Sequence, residues 1–379
     1  MLVWILVILV INGIVSFAYT AATAADPSAM WGLLTANFIY FLGITQAGIL
    51  LSAIMRIVKS GWGRYYSRLG EIMTLSFIPV AAVMFLVIYA GASPHIFWWA
   101  KPGAEAEHGL IGAWLHMDFL FWRNVLAMAL FYLISFFYFM TVRKEERREG
   151  NLEKTLNVLA GLVMASFVLT NTIAAWDFGM TIIPHWDSSI FPPYYWVGNI
   201  FAGAAFLFLM SVYLIAKKSG AGITPRHLDS MGKVFLGFAL LWLYMFWSQF
   251  FVIWYGNQPE LTGPLFKRMT GNFVLPFGLM IVTAFVVPFL SLIFRSIKLN
   301  AASLSFVAIL ICSAMWINRY LMIIPQFSDG SSRVFMTWTG ISLLLGGISV
   351  TVLSALLFLR FFPQISVVAA STESEHGHH

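Results

Sequence analysis

The chain has 379 residues, of which 60% are hydrophobic and 10% are charged, and this low charge excludes an ordinary soluble domain. The single cysteine, Cys312, excludes a disulfide within the chain and a cluster held by four thiolates. The net charge of +6 does not indicate nucleic-acid binding, because the basic residues stand in short segments between apolar runs.

Ten apolar segments are each long enough to cross a bilayer, which takes about 20 residues of helix. None of them contains a histidine, so a haem held by paired imidazoles at membrane depth is excluded. Residues 1–25 lack the basic start of a signal peptide, so we expect the first helix to be retained. The sequence therefore predicts an all-α polytopic membrane protein. Its spans lie near 3–21, 31–55, 71–91, 118–141, 155–176, 194–216, 231–255, 272–294, 300–324 and 335–360.

The distribution of basic residues predicts the orientation. Most of the 22 Lys and Arg residues lie on the side of the loops that follow spans two, four, six and eight. The positive-inside rule places this side and both termini in the cytoplasm. The loops 91–117 and 177–193, which are rich in His and Trp, then face outward. The polar tail 366–379 is expected to be flexible.

A short internal repeat indicates two related halves. The segment Asp177–Trp186 ends span five and matches Asn318–Phe327 at the end of span nine, with Ile-Ile-Pro in common. Phe121–Asn124 and Phe266–Arg268 open spans four and eight in a similar way. A shift of four helices preserves orientation, so we predict two parallel four-helix bundles flanked by helices one and ten. The halves would be about 31–190 and 194–327 within a single domain, 1–365.

Ionisable residues concentrate at the outward end of the first half. Asp177 is a functional candidate, because a carboxylate at membrane depth is costly unless it is solvated or paired. His185 could exchange a proton near neutral pH. Asp118, His116 and Arg123, at the mouth of span four, could join Asp177 in one polar cluster. Structural ion pairing explains the same residues, and both interpretations stay open.

Aromatic residues accompany these candidates. Trp176 and Trp186, with Trp254 and Tyr255 at the end of span seven, could pack on the ring of a quinol headgroup. The same residues would also form an ordinary interfacial belt.

Further polar residues occur inside the spans. Gln249 could contact a substrate or bond a neighbouring helix. Arg319 should reach the membrane surface or find an acidic partner. Glu71 and Asp229 are expected at the N-termini of helices three and seven, where the helix dipole favours an acid. Four amides would be steps of a water-filled half-channel or would bridge helices: Asn37, Gln46, Asn171 and Asn199.

Two long motifs resemble a known family. The segments Trp176–Phe191 and Ser248–Glu260 are similar to those of the ActF-type subunits of bacterial alternative complex III. These are the smaller of its two polysulfide-reductase-like (NrfD-like) membrane subunits, and the resemblance extends over essentially the whole chain. Ile183 departs from the family pattern, which commonly has an acid just before the Pro-His pair. This departure weakens a catalytic interpretation of His185.

The resemblance implies a non-haem membrane subunit of a quinol:electron-acceptor oxidoreductase in the bacterial inner membrane. Its implied partners are a larger NrfD-like membrane subunit, an iron–sulfur subunit and multihaem cytochromes c. A soluble carrier or a terminal oxidase would accept the electrons from this complex. Haem c and iron–sulfur clusters would lie in those partners, and this chain would bind neither. Quinone or menaquinone could be a further ligand. Any activity would belong to the assembly, and this chain would support quinol oxidation through a proton path or as a scaffold.

The alternative is a secondary transporter built from two four-helix repeats. Transporters of this kind break their helices at matching positions in the two halves. The prolines within the spans, Pro79, Pro276 and Pro288, form no matching pair, which disfavours this alternative.

Overall fold

The computed structural model describes residues 2–101, 109–147, 150–218, 224–328 and 337–362. All regular structure in these ranges is helical. The expected tail 366–379 lies outside the described residues, as does His108.

Within these ranges, ten helices are long and apolar enough to cross a membrane, which confirms the predicted fold class. The helices are α1 Leu2–Thr23, α2 Ser28–Ile57, α3 Arg64–Ile96, α4 Met117–Glu146, α5 Glu153–Met180, α6 Phe191–Lys218, α7 Pro225–Gly256, α8 Gly271–Ile293, α9 Ala301–Gln326 and α10 Trp338–Phe361. A short helix, Pro259–Lys267, lies between α7 and α8.

Two helices are longer than predicted. Helix α3 begins at Arg64, so Glu71 lies well inside it, and α7 begins at Pro225, so Asp229 lies beyond its first turn. The expectation that these acids open their helices is therefore wrong. The added turns also contain His95 and His227, so these two histidines belong to helix ends.

Helix α2 is the centre of the assembly, and almost all of its apolar stretch is buried. It packs against α3, α5, α6, α9 and α10. Small residues permit this close packing. A Cβ on Gly48 would lie 2.4 Å from the carbonyl oxygen of Gly70 on α3. A Cβ on Gly203 of α6 would lie 2.4 Å from the Cβ of Ala47. Close backbone approach of this kind holds membrane helices together by van der Waals contact.

Helices α1 and α10 form a peripheral pair. The Nδ2 of Asn12 donates to the Oγ of Ser342 at 2.8 Å. The hydroxyls of Thr20 and Thr339 are 2.7 Å apart. Apart from this contact, α1 has little packing within the chain, and most of its side chains are exposed on the lipid side. The division of the remaining helices into two bundles stays a prediction.

The two ends of the helix assembly differ in chemistry. At the end we call the basic end, Arg56 pairs with Glu145 at 2.5 Å and Lys59 pairs with Glu153 at 3.2 Å. The opposite end, which we call the aromatic end, contains the tryptophan-rich connections. There the indole nitrogen of Trp98 donates to the carbonyl of Thr181. The assignment of the basic end to the cytoplasm stays a prediction.

Candidate functional site

Asp177 is a buried acid held by hydrogen bonds from two neighbouring residues. It lies in a π-helical turn, Trp176–Met180, at the end of α5, and its side chain is 0% exposed. The Nε of Arg123 is 3.1 and 2.9 Å from its two oxygens, and the Nη2 donates to Oδ1 at 2.5 Å. Asn124 donates to Oδ2 at 2.5 Å. Both oxygens are therefore occupied by donors from α4.

Arg123 is itself enclosed. Its Nη1 donates to the carbonyl of Trp114 at 2.5 Å, and its guanidinium lies 4.2 Å from the Trp114 ring centroid. Trp176 meets Trp114 edge to face. The structure thus brings Asp177 and Arg123 together in a closed site, where neither solvent nor a headgroup reaches the carboxylate. This geometry favours the structural interpretation of the pair.

The other expected members of this cluster lie outside it. His116 and Asp118 are exposed and contact each other at 3.8 Å. Neither is a hydrogen-bond partner of Asp177. His185 is exposed, has a left-handed backbone conformation (φ 53°) and lies 5.5 Å from the ring of Trp98.

The aromatic candidates divide into two groups. Trp186 is buried, packs edge to face on Phe191 and donates to the carbonyl of Leu261 at 3.1 Å. In contrast, Trp254 and Tyr255 are 65% and 78% exposed on α7, and neither is in ring contact with Trp186. For these two residues the structure favours the membrane-belt interpretation.

A buried chain of amides connects four helices. Asn171 of α5 donates to the Oε1 of Gln46 on α2 at 2.9 Å. Asn199 of α6 donates to the Oδ1 of Asn171 at 2.8 Å. Arg319 of α9 donates to the Oδ1 of Asn199 at 2.9 Å. The sequence indicated these amides individually, but their connection through Arg319 depends on the packing.

Arg319 continues this chain to the aromatic end. Its side chain is fully buried, donates to the carbonyl of Tyr195 at 2.7 Å and lies 4.2 Å from the Tyr195 ring centroid. It also donates to Asn318 at 2.8 Å, and Asn318 in turn donates to the hydroxyl of Tyr194. Among the described residues no carboxylate pairs with Arg319, so the expectation of an acidic partner or a surface position is wrong.

A cleft of about 620 Å³ opens at the basic end. Glu71 lies at this cleft and is buried, with its Oε2 3.6 Å from the Nη1 of Arg68. Ser52 donates to the Oε1 of Glu71 at 2.8 Å, and the hydroxyl of Tyr138 lies 3.3 Å from Ser52. Sequence reasoning missed this site because it began α3 near residue 71. The spacing of Arg68 and Glu71, one helical turn apart beside apolar residues, was the available signal.

Polar atoms lie between the cleft and the amide chain. Tyr132, Ser135 and Tyr138 follow one another at intervals of three residues on α4, so they lie near one another along one side of the helix. The hydroxyls of Tyr132 and Ser135 and the Nε2 of Gln46 are buried without a hydrogen-bond partner among the described residues. Buried polar atoms of this kind are the usual partners of internal water.

No protein-family model matches this sequence. A similar protein is the "Hdr-like menaquinol oxidoreductase integral membrane subunit" of Archaeoglobus fulgidus. The two are 20% identical over 306 residues, which cover 78% of this chain and 70% of that protein.

Proposed function

We propose that this chain is an integral membrane subunit of a menaquinol oxidoreductase complex, and more specifically of the alternative complex III type. The similar protein from Archaeoglobus fulgidus supports the first statement. The resemblance of Trp176–Phe191 and Ser248–Glu260 to ActF-type subunits supports the second. The partners in this proposal are the larger NrfD-like subunit, an iron–sulfur subunit and multihaem cytochromes c in a bacterial inner membrane. Those partners would hold the redox groups.

The proposed contribution of this chain is a proton path. The observation that carries it is the line of buried polar groups from the Glu71 cleft to Tyr194. Glu71 would take up a proton at the basic end, because it borders a cleft that water can enter. Water held by Ser135, Tyr132 and Gln46 would then connect Glu71 to the amide chain.

Arg319 would restrict this path. A fixed guanidinium opposes the passage of an excess proton, as fixed positive charges do in water channels. A path interrupted in this way suits a subunit that moves protons only after the guanidinium of Arg319 or its hydrogen-bond acceptors have been displaced. An open proton leak would not have such a residue on its route.

The transporter alternative gains no support from the helix interruptions. Besides the end of α5, π-helical turns interrupt α3 at Ile88–Ala92 and α8 at Val282–Val286. A shift of four helices pairs α3 with α7, α4 with α8 and α5 with α9. The interruptions therefore do not occur in corresponding helices, as alternating access by two repeats would require.

Native membranes extracted in a mild detergent and separated on a native gel would test the complex. We expect the band that contains this chain to stain for haem. Mass spectrometry of the band should identify a multihaem cytochrome, an iron–sulfur protein and a longer ten-helix subunit. Migration of this chain alone, without haem, would refute the proposal. Quinol-driven proton movement in liposomes containing the intact complex would then test the path.

A further inference from the structure

Arg68 lies between two acids that line the cleft of the basic end. Its Nη2 binds the Oε1 of Glu146, the last residue of α4, and its Nη1 lies 3.6 Å from the Oε2 of Glu71. The side chain of Glu146 is 36% exposed, whereas those of Arg68 and Glu71 are 3% and 2% exposed. The guanidinium is therefore placed between an acid at the rim of the cleft and a buried acid.

The contact between Arg68 and Glu71 is an ion pair without a hydrogen bond. Its distance of 3.6 Å is about 0.7 Å longer than an ordinary N–H···O bond. Neither the Nη1 of Arg68 nor the Oε2 of Glu71 has a hydrogen-bond partner among the described residues. The other oxygen of Glu71, Oε1, accepts a hydrogen bond from Ser52 at 2.8 Å. Oε2 is therefore the oxygen of Glu71 that is left without a donor.

Arg68 also covers Glu71. The two facing atoms, Nη1 and Oε2, have almost no accessible surface, although both residues line the cleft. The guanidinium lies 5.7 Å from the ring centroid of Phe139 and is held at the rim by Glu146. Access to Oε2 from the cleft therefore depends on the position of the guanidinium.

The donors of Arg68 can be divided between its two acids in more than one way. A guanidinium binds one carboxylate with two parallel hydrogen bonds, or it divides its donors between two carboxylates. A movement of less than about 1 Å toward Glu71 would complete a hydrogen bond to Oε2. A movement toward Glu146 would instead uncover this oxygen. The charge of Glu146 therefore influences how strongly Arg68 holds Glu71.

We propose that Arg68 and Glu146 form a gate on proton uptake by Glu71, with Arg68 as a positioning residue. The inference rests on the proposed function, in which Glu71 is the entrance of the proton path. While Glu146 is charged, it draws the guanidinium toward the rim, and Oε2 can accept a proton from water in the cleft. Glu71 then becomes neutral and its attraction to Arg68 ends. When Glu146 loses its charge, Arg68 pairs with Glu71 alone and keeps it as a carboxylate.

Other charged and titratable groups also face Glu71. They are Arg56 on α2 and Tyr138, Arg143 and Glu145 on α4. Arg56 and Glu145 pair with each other at 2.5 Å, so together they contribute little net charge. Arg68 is the cation that meets the carboxylate of Glu71 directly. Its replacement should therefore have a large effect on proton uptake.

The first test measures quinol-driven proton movement at a series of pH values, in liposomes that contain the intact complex. Arg68→Gln should move the midpoint of the pH profile to higher pH by about 1 unit or more, because a buried carboxylate without a cation holds its proton more strongly. Glu146→Gln should move the midpoint to lower pH by about half a unit, because Arg68 then pairs with Glu71 alone. The matched control is Glu153→Gln, which removes an exposed acid of the same cleft and should leave the midpoint unchanged.

A purely structural role of Arg68 predicts a different result. Both variants would then lower the rate of proton movement without moving the midpoint of the pH profile. Arg68→Lys keeps the positive charge beside Glu71 and should return the midpoint most of the way to the wild-type value. Unmoved midpoints in Arg68→Gln and Glu146→Gln, or shifts in the same direction, would overturn the gate.

The second test measures access to Glu71 in the same complex in detergent. A water-soluble carbodiimide with glycine ethyl ester labels accessible carboxylates, and mass spectrometry of the peptides gives the extent of labelling. In the wild type we expect Glu71 to be protected and the exposed Glu153 to be labelled. In Arg68→Gln the labelling of Glu71 should rise several-fold, while Asp177, buried at the other end, stays unlabelled. Labelling of Asp177 as well would show that Arg68 supports the fold, and would contradict the gate.

The outcomes separate this inference from the proposed function. A wild-type complex that moves protons, together with variants that keep its midpoint, would overturn the gate and leave the proton path intact. A wild-type complex that moves no protons would refute the proton path itself, and the gate with it.

Discussion

Replacing Asp177 by Asn is expected to destabilise the protein. The carboxylate is fully buried and accepts hydrogen bonds from Arg123 and Asn124. Removing one partner of a buried ion pair typically costs about 3–5 kcal/mol, because the other charge stays in a medium of low polarity. Asp177→Asn keeps one acceptor oxygen, so its cost should be about 3 kcal/mol. Arg123→Gln leaves the carboxylate with one neutral donor and should reach the upper end of the range.

The double variant Arg123→Met with Asp177→Leu provides the matched control. It removes both charges and replaces them with apolar side chains of similar size. Such replacements are often neutral or stabilising, so we expect the double variant to recover most of the lost stability. Asn124 keeps its hydrogen bond to the carbonyl of Leu120 at 2.9 Å in this variant.

Titration of the purified chain with sodium dodecyl sulfate, followed by tryptophan fluorescence, measures the free energy of unfolding of each variant. Arg123→Met and Asp177→Leu are also measured singly to close the cycle, and a coupling energy of about 3 kcal/mol between the two sites is expected. Single variants that each lie within about 1 kcal/mol of the wild type would refute the closed ion pair. If Asp177→Asn were as stable as the wild type but reduced quinol turnover in the complex, Asp177 would be a proton relay after all.

Three further outcomes follow, the first two on the proposed path and the third on His185. Glu71→Gln should abolish most quinol-driven proton movement. Glu153→Gln, at an exposed acid of the same cleft, should retain it. Equal rates of proton movement in the two variants would remove Glu71 from the path. Asn171→Leu interrupts the amide chain and should reduce proton movement at least about tenfold, since it removes hydrogen bonds to both Gln46 and Asn199. His185→Gln should change quinol turnover less than about twofold. The His185 ring is exposed, and the second half has Gln326 at the corresponding position. A large loss in His185→Gln would restore this residue to the mechanism.

The fold could be predicted from the sequence because the bilayer fixes the length and polarity of each helix. The start of α3 was missed for the same reason. The segment from Arg64 to Glu71 is too polar for a span, yet it forms a helix whose Arg68 and Glu71 are buried against α2 and α4. Hydropathy alone does not distinguish a polar helical turn at the end of a span from a loop.

The candidate site was only partly predictable, because helix rotation decides which side chains meet. Asp118 and Arg123 are five residues apart on α4, which places them about 140° apart around the helix axis. Arg123 therefore faces α5 while Asp118 faces outward. Arg319 shows a second difficulty. Its acceptors are the Tyr195 carbonyl and the Asn199 amide, and no pattern in α9 indicates contacts with α6.

The pairing of α1 with α10 has a consequence for how the protein is made. About 315 residues separate Thr23 from Trp338, and at 5–20 residues per second their synthesis takes roughly 15–60 s. During this time α1 has only a small contact with α2 to hold it near the growing assembly. Its Asn12 and Thr20 meet Ser342 and Thr339 only when α10 enters the membrane. Closure of this pair therefore requires synthesis through α10, and a chain that stops before α10 would expose two polar side chains of α1 to lipid.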